Sequence, residues 1–218
     1  MIGTVRYTFA RCLGSQRWIP PLLIFTLSVA IFYPFNSPAL GAGSVGSLLL
    51  IPISSWLMIT AVNSEDESQM VISVVNVGGF VRYRIGLMLA VISVASGLAA
   101  FSISFALIRD TPIAGSNVVQ TVLALLLVHL TCACVGTGFG LLIAPPIVTR
   151  SGFAFVLVGT FSIVAIALPN SPFRNLIGAL NNPDFAHFWQ VISVLSAQAL
   201  VVGLIFAAIG LYLARRRA

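Results

Sequence analysis

Three of the five acidic residues in this sequence are consecutive, Glu65, Asp66 and Glu67, although only 7% of all residues are charged. The order Ser64-x-x-Glu67 is a capping box, in which two side chains bond free backbone N–H groups, so it predicts a helix that begins at Ser64. Carboxylates in a first turn are also favoured by the helix dipole, by about 0.3–1 kcal/mol each. Three acids exceed what a cap needs. Two interpretations follow, a solvated loop helix and a docking surface for another protein, and we favour the docking surface.

His129 lies near the middle of a long apolar segment, where an ionisable side chain is costly and is by default a candidate functional residue. A proton relay needs a second ionisable group, but the acids all lie outside the apolar segments. The paired carboxylates of a metal-dependent lipid transferase are absent for the same reason. A serine hydrolase built on His129 or His187 needs a positioned serine and an oxyanion hole, and no motif singles out a serine. We interpret His129 as a packing residue.

The other reactive residue types also argue against catalysis by this chain. All eleven strongly basic residues are arginines, and without lysine there can be no G-x-x-x-x-G-K-[ST] loop to bind nucleotide phosphates. Cys12, Cys132 and Cys134 have neither zinc-ligand nor disulfide spacing and are interpreted as packing residues. The sequence therefore predicts no catalytic residue, no metal ligand and no cofactor on this chain.

The elements that position these residues must lie in a membrane. The 218 residues are 59% hydrophobic, with a mean hydropathy of +1.07. A soluble domain usually contains about 25% charged residues, and a membrane-spanning helix needs about 20 apolar residues. We therefore predict an all-α bundle that forms a single transmembrane domain. Its six predicted spans are residues 18–35, 45–62, 85–108, 118–144, 152–168 and 191–213.

The positions of the arginines predict the orientation of these spans. With six spans, nine arginines fall on one side and only Arg109 and Arg174 fall on the other. The positive-inside rule then places both termini in the cytoplasm, and we expect a bacterial cell membrane. Arginines that flank spans favour contact with the lipid bilayer over binding to nucleic acid. The nine are Arg6, Arg11, Arg17, Arg82, Arg84, Arg150, Arg215, Arg216 and Arg217.

Three segments outside the spans carry their own patterns. Residues 1–17 have an apolar stripe opposite polar residues, which predicts a helix in the membrane interface. Residues 64–79 are predicted to form an amphipathic helix along the cytoplasmic face, ended by two glycines. Its apolar stripe contains Met70, Val71, Val74 and Val75, and its polar stripe contains Gln69, Ser73 and Asn76. Residues 169–190 form the extracellular segment, with a short helix at NLIGAL and an aromatic belt of Phe185, Phe188 and Trp189.

Small residues predict where spans pack closely. Gly97 lies on a stripe with Ser93, Ala100 and Ser104 in the third span. Gly136-x-x-x-Gly140 marks the fourth span. Small side chains let helix backbones approach each other in lipid, so we interpret these glycines as helix-packing residues.

This layout resembles the membrane subunit of type-2 ABC exporters, the ABC-2-type permeases. Residues 65–79, EDESQMVISVVNVGG, followed by Arg82 and Gly86, are similar to that family's acidic start, apolar helix, and the arginine and glycine that open the third span. The G-x-G-x-G run at residues 136–140, continuing to Arg150, is similar to its passage from span four to span five. The likeness in layout covers the whole chain.

The resemblance implies that residues 64–79 are a coupling helix, which contacts a separate ABC ATPase subunit that binds ATP and magnesium. It also implies a second permease subunit, identical or homologous to this one. The implied function is export of a hydrophobic or amphipathic cargo, such as a peptide, a lipid or a drug, by a subunit that is not itself an enzyme. The implied contact residues are Ser64, Glu65, Asp66, Glu67, Gln69, Met70, Val71, Ser73, Val74 and Asn76.

Two alternatives from other functional classes stay open. An ion-coupled secondary transporter would depend on His129 and would need no ATPase. A non-transporting membrane scaffold or assembly protein would have no cargo pathway. A phosphate-loop ATPase encoded in a neighbouring reading frame would favour the exporter over both.

Overall fold

The computed structural model describes Gly14 and residues 16–33, 37–110 and 117–217. The interfacial helix predicted over residues 1–17 therefore lies almost wholly outside the described residues. The described residues form eight helices and no strand, and one isolated backbone bridge joins Ser37 to Asp110. The helices are α1 (Ile19–Phe32), α2 (Ala39–Val62), α3 (Glu67–Val77), α4 (Phe80–Ile108), α5 (Val118–Ile143), α6 (Ser151–Ala167), α7 (Pro172–Asn181) and α8 (Phe188–Arg217).

Length and hydropathy identify α2, α4, α5 and α8 as helices that can cross a membrane. Helices α6 and α7 pass the same test together but are bent by 58° relative to each other, as in a broken span or a re-entrant segment. Helix α1 has 14 residues, or about 21 Å at 1.5 Å per residue, which is shorter than the ~30 Å hydrocarbon core. The all-α class is thus confirmed, and four to five apolar helices among the described residues indicate a membrane-embedded protein. By length and hydropathy, the described helices do not reach the predicted count of six spans.

Helix α2 occupies the centre of the bundle. In the most apolar segment of α2, 67% of the residues are buried inside the protein. The corresponding share is 50% for α5, 39% for α4 and 28% for α8. Helix α2 packs on α5 and α4, and α5 packs in turn on α8. The first half of α2 reads ALGAGSVGS, and its small side chains let the neighbouring helices approach closely. The composition of α2 thus suits its central position.

The glycines of α5 alternate between two neighbouring helices. A Cβ atom at Gly136 would overlap the carbonyl oxygen of Ile51, and one at Gly140 would meet the backbone of Ser55, so both face α2. A Cβ atom at Gly138 would overlap the carbonyl oxygen of Gly203 in α8. The predicted packing residues Gly136 and Gly140 therefore lie at the junction of α2 and α5.

Gly97 does not pack against another helix of the described chain. Nothing lies within 4 Å of the position that its Cβ would take, and Gly97 is exposed. The other members of its stripe, Ser93, Ala100 and Ser104, are exposed as well. The predicted role of Gly97 in packing is therefore wrong within this chain, because α4 turns the opposite face toward the core.

The segment between α6 and α8 contains a short amphipathic helix, α7, which includes the predicted NLIGAL helix and extends beyond it at both ends. The Ser171 hydroxyl caps α7 by accepting the backbone N–H groups of Phe173 and Arg174, at 3.2 and 3.4 Å. Phe188 is only 5% exposed and belongs to the core, so its predicted place in an aromatic belt is wrong. Phe185 and Trp189 remain partly exposed, at 37% and 39%.

Candidate functional site

The N-cap of the short helix α3 lies two residues later than the capping box predicts. Its N-cap is Asp66, whose carboxylate accepts the backbone N–H of Gln69 at 2.8 Å and the Ser68 hydroxyl at 3.1 Å. The Ser64 hydroxyl instead donates to the carbonyl oxygen of Ala61 at 2.6 Å, in the last turn of α2. Aspartate and serine cap helices about equally well, so a nearby carbonyl acceptor decided which of the two was used. The predicted role of Ser64 as the cap is wrong.

The C-terminal end of α3 lies where the pair Gly78-Gly79 predicts it. Gly78 has a φ of 81°, in the left-handed region that glycine adopts without steric cost. The N–H of Gly78 bonds the carbonyl oxygen of Val75 at 3.1 Å, and the N–H of Gly79 bonds that of Val74 at 2.9 Å. These bonds satisfy the last carbonyl groups of α3 before α4 starts at Phe80.

Glu65 connects the segment before α3 to both α3 and α4. Its carboxylate accepts the Ser73 hydroxyl at 3.0 Å and the Tyr83 hydroxyl at 2.6 Å. Tyr83 is 2% exposed and Ser73 is 9% exposed, so these bonds are largely shielded from water. The three acids therefore do not act as one charged cluster. In this structure Glu65 is engaged within the chain, Asp66 caps α3, and Glu67 is the first residue of α3.

The faces of α3 are rotated relative to the predicted stripes. Met70 and Val74 pack on the core together with Val77, as an apolar stripe should. Ser73, predicted on the polar stripe, is buried because Glu65 supplies its hydroxyl with an acceptor. Gln69 and Asn76 are exposed, as their polar character predicts. The residues that we call the outer face of α3 are Val71, Ile72 and Val75, which are 58%, 62% and 73% exposed.

Arg84, in the first turns of α4, is buried to 1% exposure. Its Nη2 atom donates to the carbonyl oxygen of Pro145 at 3.0 Å, and the Phe80 ring lies 5.0 Å from its Cζ atom. Within the part of the chain that the structure describes, Nε and Nη1 have no hydrogen-bond partner. The sequence did not distinguish Arg84 from Arg82. Arg82 and Arg84 are two residues apart on a helix, so they face different directions, and Arg82 is exposed.

Arg84 lines a cavity of about 470 Å³, which we call the Arg84 cavity. Its walls come from the end of α2, the segment before α3, α3 itself, the start of α4, and Pro145-Pro146 after α5. Glu65 and Asp66 also line it. The candidate site of this chain is therefore the region where α3, its acidic linker and a buried arginine meet.

His129 belongs to a second buried polar group, in the middle of the bundle. Its Nδ1 atom lies 2.7 Å from the carbonyl oxygen of Leu125, which can only accept, so Nδ1 carries the proton. Nε2 then accepts the Ser102 hydroxyl at 2.9 Å, and the Tyr33 hydroxyl donates to Ser102 at 2.6 Å. These three side chains are at most 1% exposed. The sequence did not single out Ser102 or Tyr33, which come from other helices or their ends.

The Ser102–His129 pair has the separation of a nucleophile and its base, but its surroundings do not suit hydrolysis. Tyr33 donates to the serine oxygen that would have to attack. The backbone of α2 at Gly46 lies against the hydroxyl groups of Tyr33 and Ser102, since a Cβ atom at Gly46 would overlap both. His187, the other histidine, is exposed and pairs with Asp184 at 3.2 Å, a hydrogen bond that lowers the pKa of the Asp184 carboxyl. The geometry agrees with a packing role for His129.

No protein-family model, curated protein or solved structure matches this chain. Among the described residues, no three His, Cys, Asp or Glu side chains come together as a metal site. Among the described residues, the arrangement of α3 and its neighbours is the feature that bears on function.

Proposed function

We propose that this chain is the transmembrane permease subunit of an ATP-driven exporter of the type-2 ABC class. It works with a second permease subunit and with separate ATPase subunits, which bind ATP and magnesium. Its cargo is hydrophobic or amphipathic and leaves the cytoplasm. The observation that carries this proposal is α3, a short helix that is firmly attached to the bundle and yet exposes an apolar face.

The attachment of α3 suits a helix that transmits force. Glu65 links it to Tyr83 in α4, and only Gly78 and Gly79 separate its last residue from α4. A displacement of α3 would therefore move the adjoining ends of α2 and α4 as well. Closure of the ATPase subunits on ATP would supply that displacement and would rock the spans between inward-open and outward-open arrangements.

The outer face of α3 suits a partner protein. Val71, Ile72 and Val75 are apolar and more than half exposed, and they lie on one side of a helix whose other side is packed. Apolar side chains of this kind become anchors when a partner's cleft encloses them. With both termini in the cytoplasm, α3 lies on the cytoplasmic side, where an ATPase could reach it.

The surface within the membrane supports an apolar cargo. A groove of about 230 Å³ lies between α1, α2 and α6, and its walls include Phe25, Leu49, Trp56 and Phe155. Ser28 is the hydroxyl-bearing residue among its lining. Such a groove would accept a hydrocarbon chain or an apolar ring more readily than an ion. The ion-coupled alternative would rely on His129, whose ring nitrogens both have partners.

Co-purification from mild detergent tests the proposal. We expect a phosphate-loop ATPase to be recovered in stoichiometric amount with the tagged chain. Val75→Asp, which places a charge on the outer face of α3, should abolish that recovery while leaving the thermal stability of the chain unchanged. Val75→Thr keeps the side-chain shape and is the matched control. Absence of an ATPase from the wild-type preparation, or normal recovery with Val75→Asp, would contradict the proposal.

A further inference from the structure

A groove of about 890 Å³, which we call the Arg174 groove, runs between α7 and the first turns of α8. Its volume falls within the roughly 300–1,000 Å³ typical of ligand sites. The apolar face of α7, with Phe173, Leu176 and Leu180, is buried in the core, so α7 lines the groove with its other face. Nothing lies within 4 Å of the position that a Cβ atom of Gly178 would take, so the groove is open at that wall.

The lining of the Arg174 groove changes from polar to apolar along α8. His187 and Gln190 line it where α8 begins. Trp189 is 39% exposed at the same level, and exposed tryptophan is concentrated at the level of the lipid headgroups. The apolar side chains that line the groove further along α8 are Val191, Val194 and Leu195. Polar groups at the headgroup level and apolar groups deeper in the membrane are the order that an amphipathic lipid requires.

Arg174 gives this groove a positive charge that no acid in its lining balances. Among the described residues, the guanidinium group of Arg174 has no ion pair and no hydrogen bond, and no aspartate or glutamate lines the groove. Asp184 already pairs with His187 at 3.2 Å. Arg109, the other arginine on the predicted outer side, instead donates to the carbonyl oxygen of Tyr33. Because no nitrogen of the Arg174 guanidinium is engaged, an edge with two N–H donors is available to a phosphate group.

Three amide side chains complete the polar lining of the groove, those of Asn175, Asn182 and Gln190. An amide can donate and accept hydrogen bonds, so it matches a hydroxyl group better than a second charge. We propose that the Arg174 groove binds an anionic membrane phospholipid whose headgroup carries hydroxyl groups, as in phosphatidylglycerol. Arg174 binds the phosphate, the amides bind the hydroxyl groups, and an acyl chain packs on the apolar side chains of α8.

This assignment separates three common headgroups by their chemistry. Phosphatidylethanolamine carries an ammonium group, for which the described lining supplies no carboxylate. Phosphatidylcholine carries a bulkier cationic group that has no N–H to donate. Asn181 lies beside Gly41 at the start of α2, whereas α3 follows the end of α2, so the groove and α3 are at opposite ends of the bundle. Lipid binding in the groove therefore does not depend on an ATPase partner.

Native mass spectrometry of the purified full-length chain tests the proposal. The chain is equilibrated with mixed micelles that contain equal amounts of phosphatidylglycerol, phosphatidylethanolamine and phosphatidylcholine. We expect one phosphatidylglycerol per chain to be retained, with a preference of roughly tenfold over the other two lipids. Arg174→Gln should remove this preference, and Arg174→Lys, which keeps the charge, should retain most of it. Arg82→Gln, which removes an exposed arginine from another helix, should leave it unchanged.

Gly178→Leu tests the position of the lipid without changing any charge. Leucine favours a helix more than glycine does, and its side chain would extend into the open part of the groove. We expect retention of phosphatidylglycerol to fall by roughly tenfold while the thermal stability stays at or above that of the wild-type chain. Gly97→Leu is the matched control, because Gly97 is also a helical glycine with open space beside it.

Several results would overturn the proposal. Equal retention of the three lipids by the wild-type chain would do so without any variant. An unchanged preference in Arg174→Gln, or an equal loss in Arg82→Gln, would assign the effect to general surface charge. Full retention by Gly178→Leu, or an equal loss in Gly97→Leu, would place the lipid elsewhere on the chain. Displacement of the lipid by water-soluble glycerophosphoglycerol at the same concentration would show that the acyl chain contributes nothing.

Discussion

Tyr83→Phe tests whether Glu65 holds α3 against the bundle. The substitution removes one hydroxyl group and leaves the ring, which is 2% exposed and part of the core. The lost interaction is the 2.6 Å hydrogen bond from Tyr83 to the Glu65 carboxylate. The bond from Ser73 to the same carboxylate remains. The variant therefore removes this hydrogen bond between α4 and the segment before α3.

The expected magnitude follows from the charge of the acceptor. A hydrogen bond to a charged group contributes about 1.5–3 kcal/mol to stability, and we take the lower value because Glu65 is only half-buried. The opening of α3 should then become more favourable by about 1.5 kcal/mol, roughly a tenfold change in its equilibrium constant. Global unfolding should change much less if α3 opens separately from the spans.

Hydrogen–deuterium exchange of the backbone amides of α3 measures this local opening. We expect exchange over residues 70–77 to accelerate by roughly tenfold in Tyr83→Phe, with little change in α5. Tyr212→Phe is the matched control, because Tyr212 is 54% exposed on α8. If α3 exchanges at the wild-type rate in Tyr83→Phe, the hydrogen bond does not hold α3 in place, and the account of force transmission through Glu65 is wrong.

Three further predictions concern packing, the buried histidine and topology. Gly140→Ala should lower the free energy of unfolding by about 1–3 kcal/mol, because its Cβ would meet α2. Gly97→Ala should leave the free energy of unfolding unchanged or raise it. Equal effects of the two substitutions would contradict the assigned helix faces. His129→Gln should preserve cargo transport by reconstituted protein, since its partners are neutral; loss of transport with normal insertion would favour an ion-coupled transporter. Cysteine at Asn182 should react with an impermeant reagent outside intact cells, and cysteine at Ser68 should not; the reverse pattern would contradict the orientation.

The composition alone determined the class of this protein. A chain with 59% hydrophobic and 7% charged residues cannot cover its apolar side chains in water, and long apolar segments without strand alternation form helices in a bilayer. The glycine pair after residue 77 likewise determined the end of α3, because a local left-handed turn needs no distant partner. These predictions depend on local chemistry, which a sequence displays directly.

The start of α3 and the direction of its faces were decided by tertiary contacts. Both Ser64 and Asp66 are good caps, and the choice between them depended on the carbonyl of Ala61 at the end of α2. The sequence pattern places Ser73 on the polar face of α3. In the fold its hydroxyl donates to Glu65, so Ser73 can be buried. Helical periodicity alone cannot show which face is buried when a buried acceptor is available to a polar side chain.

The Arg84 cavity depended on the tertiary structure most of all. In the sequence Arg84 is one of nine arginines on the predicted cytoplasmic side, with no sign that it differs from Arg82. Only the packing of α4 against α3 and Pro145-Pro146 buries Arg84 beside a cavity that also contains Glu65. Those residues lie far apart along the chain. They line one cavity only because the fold brings α4, the segment before α3 and the residues after α5 together.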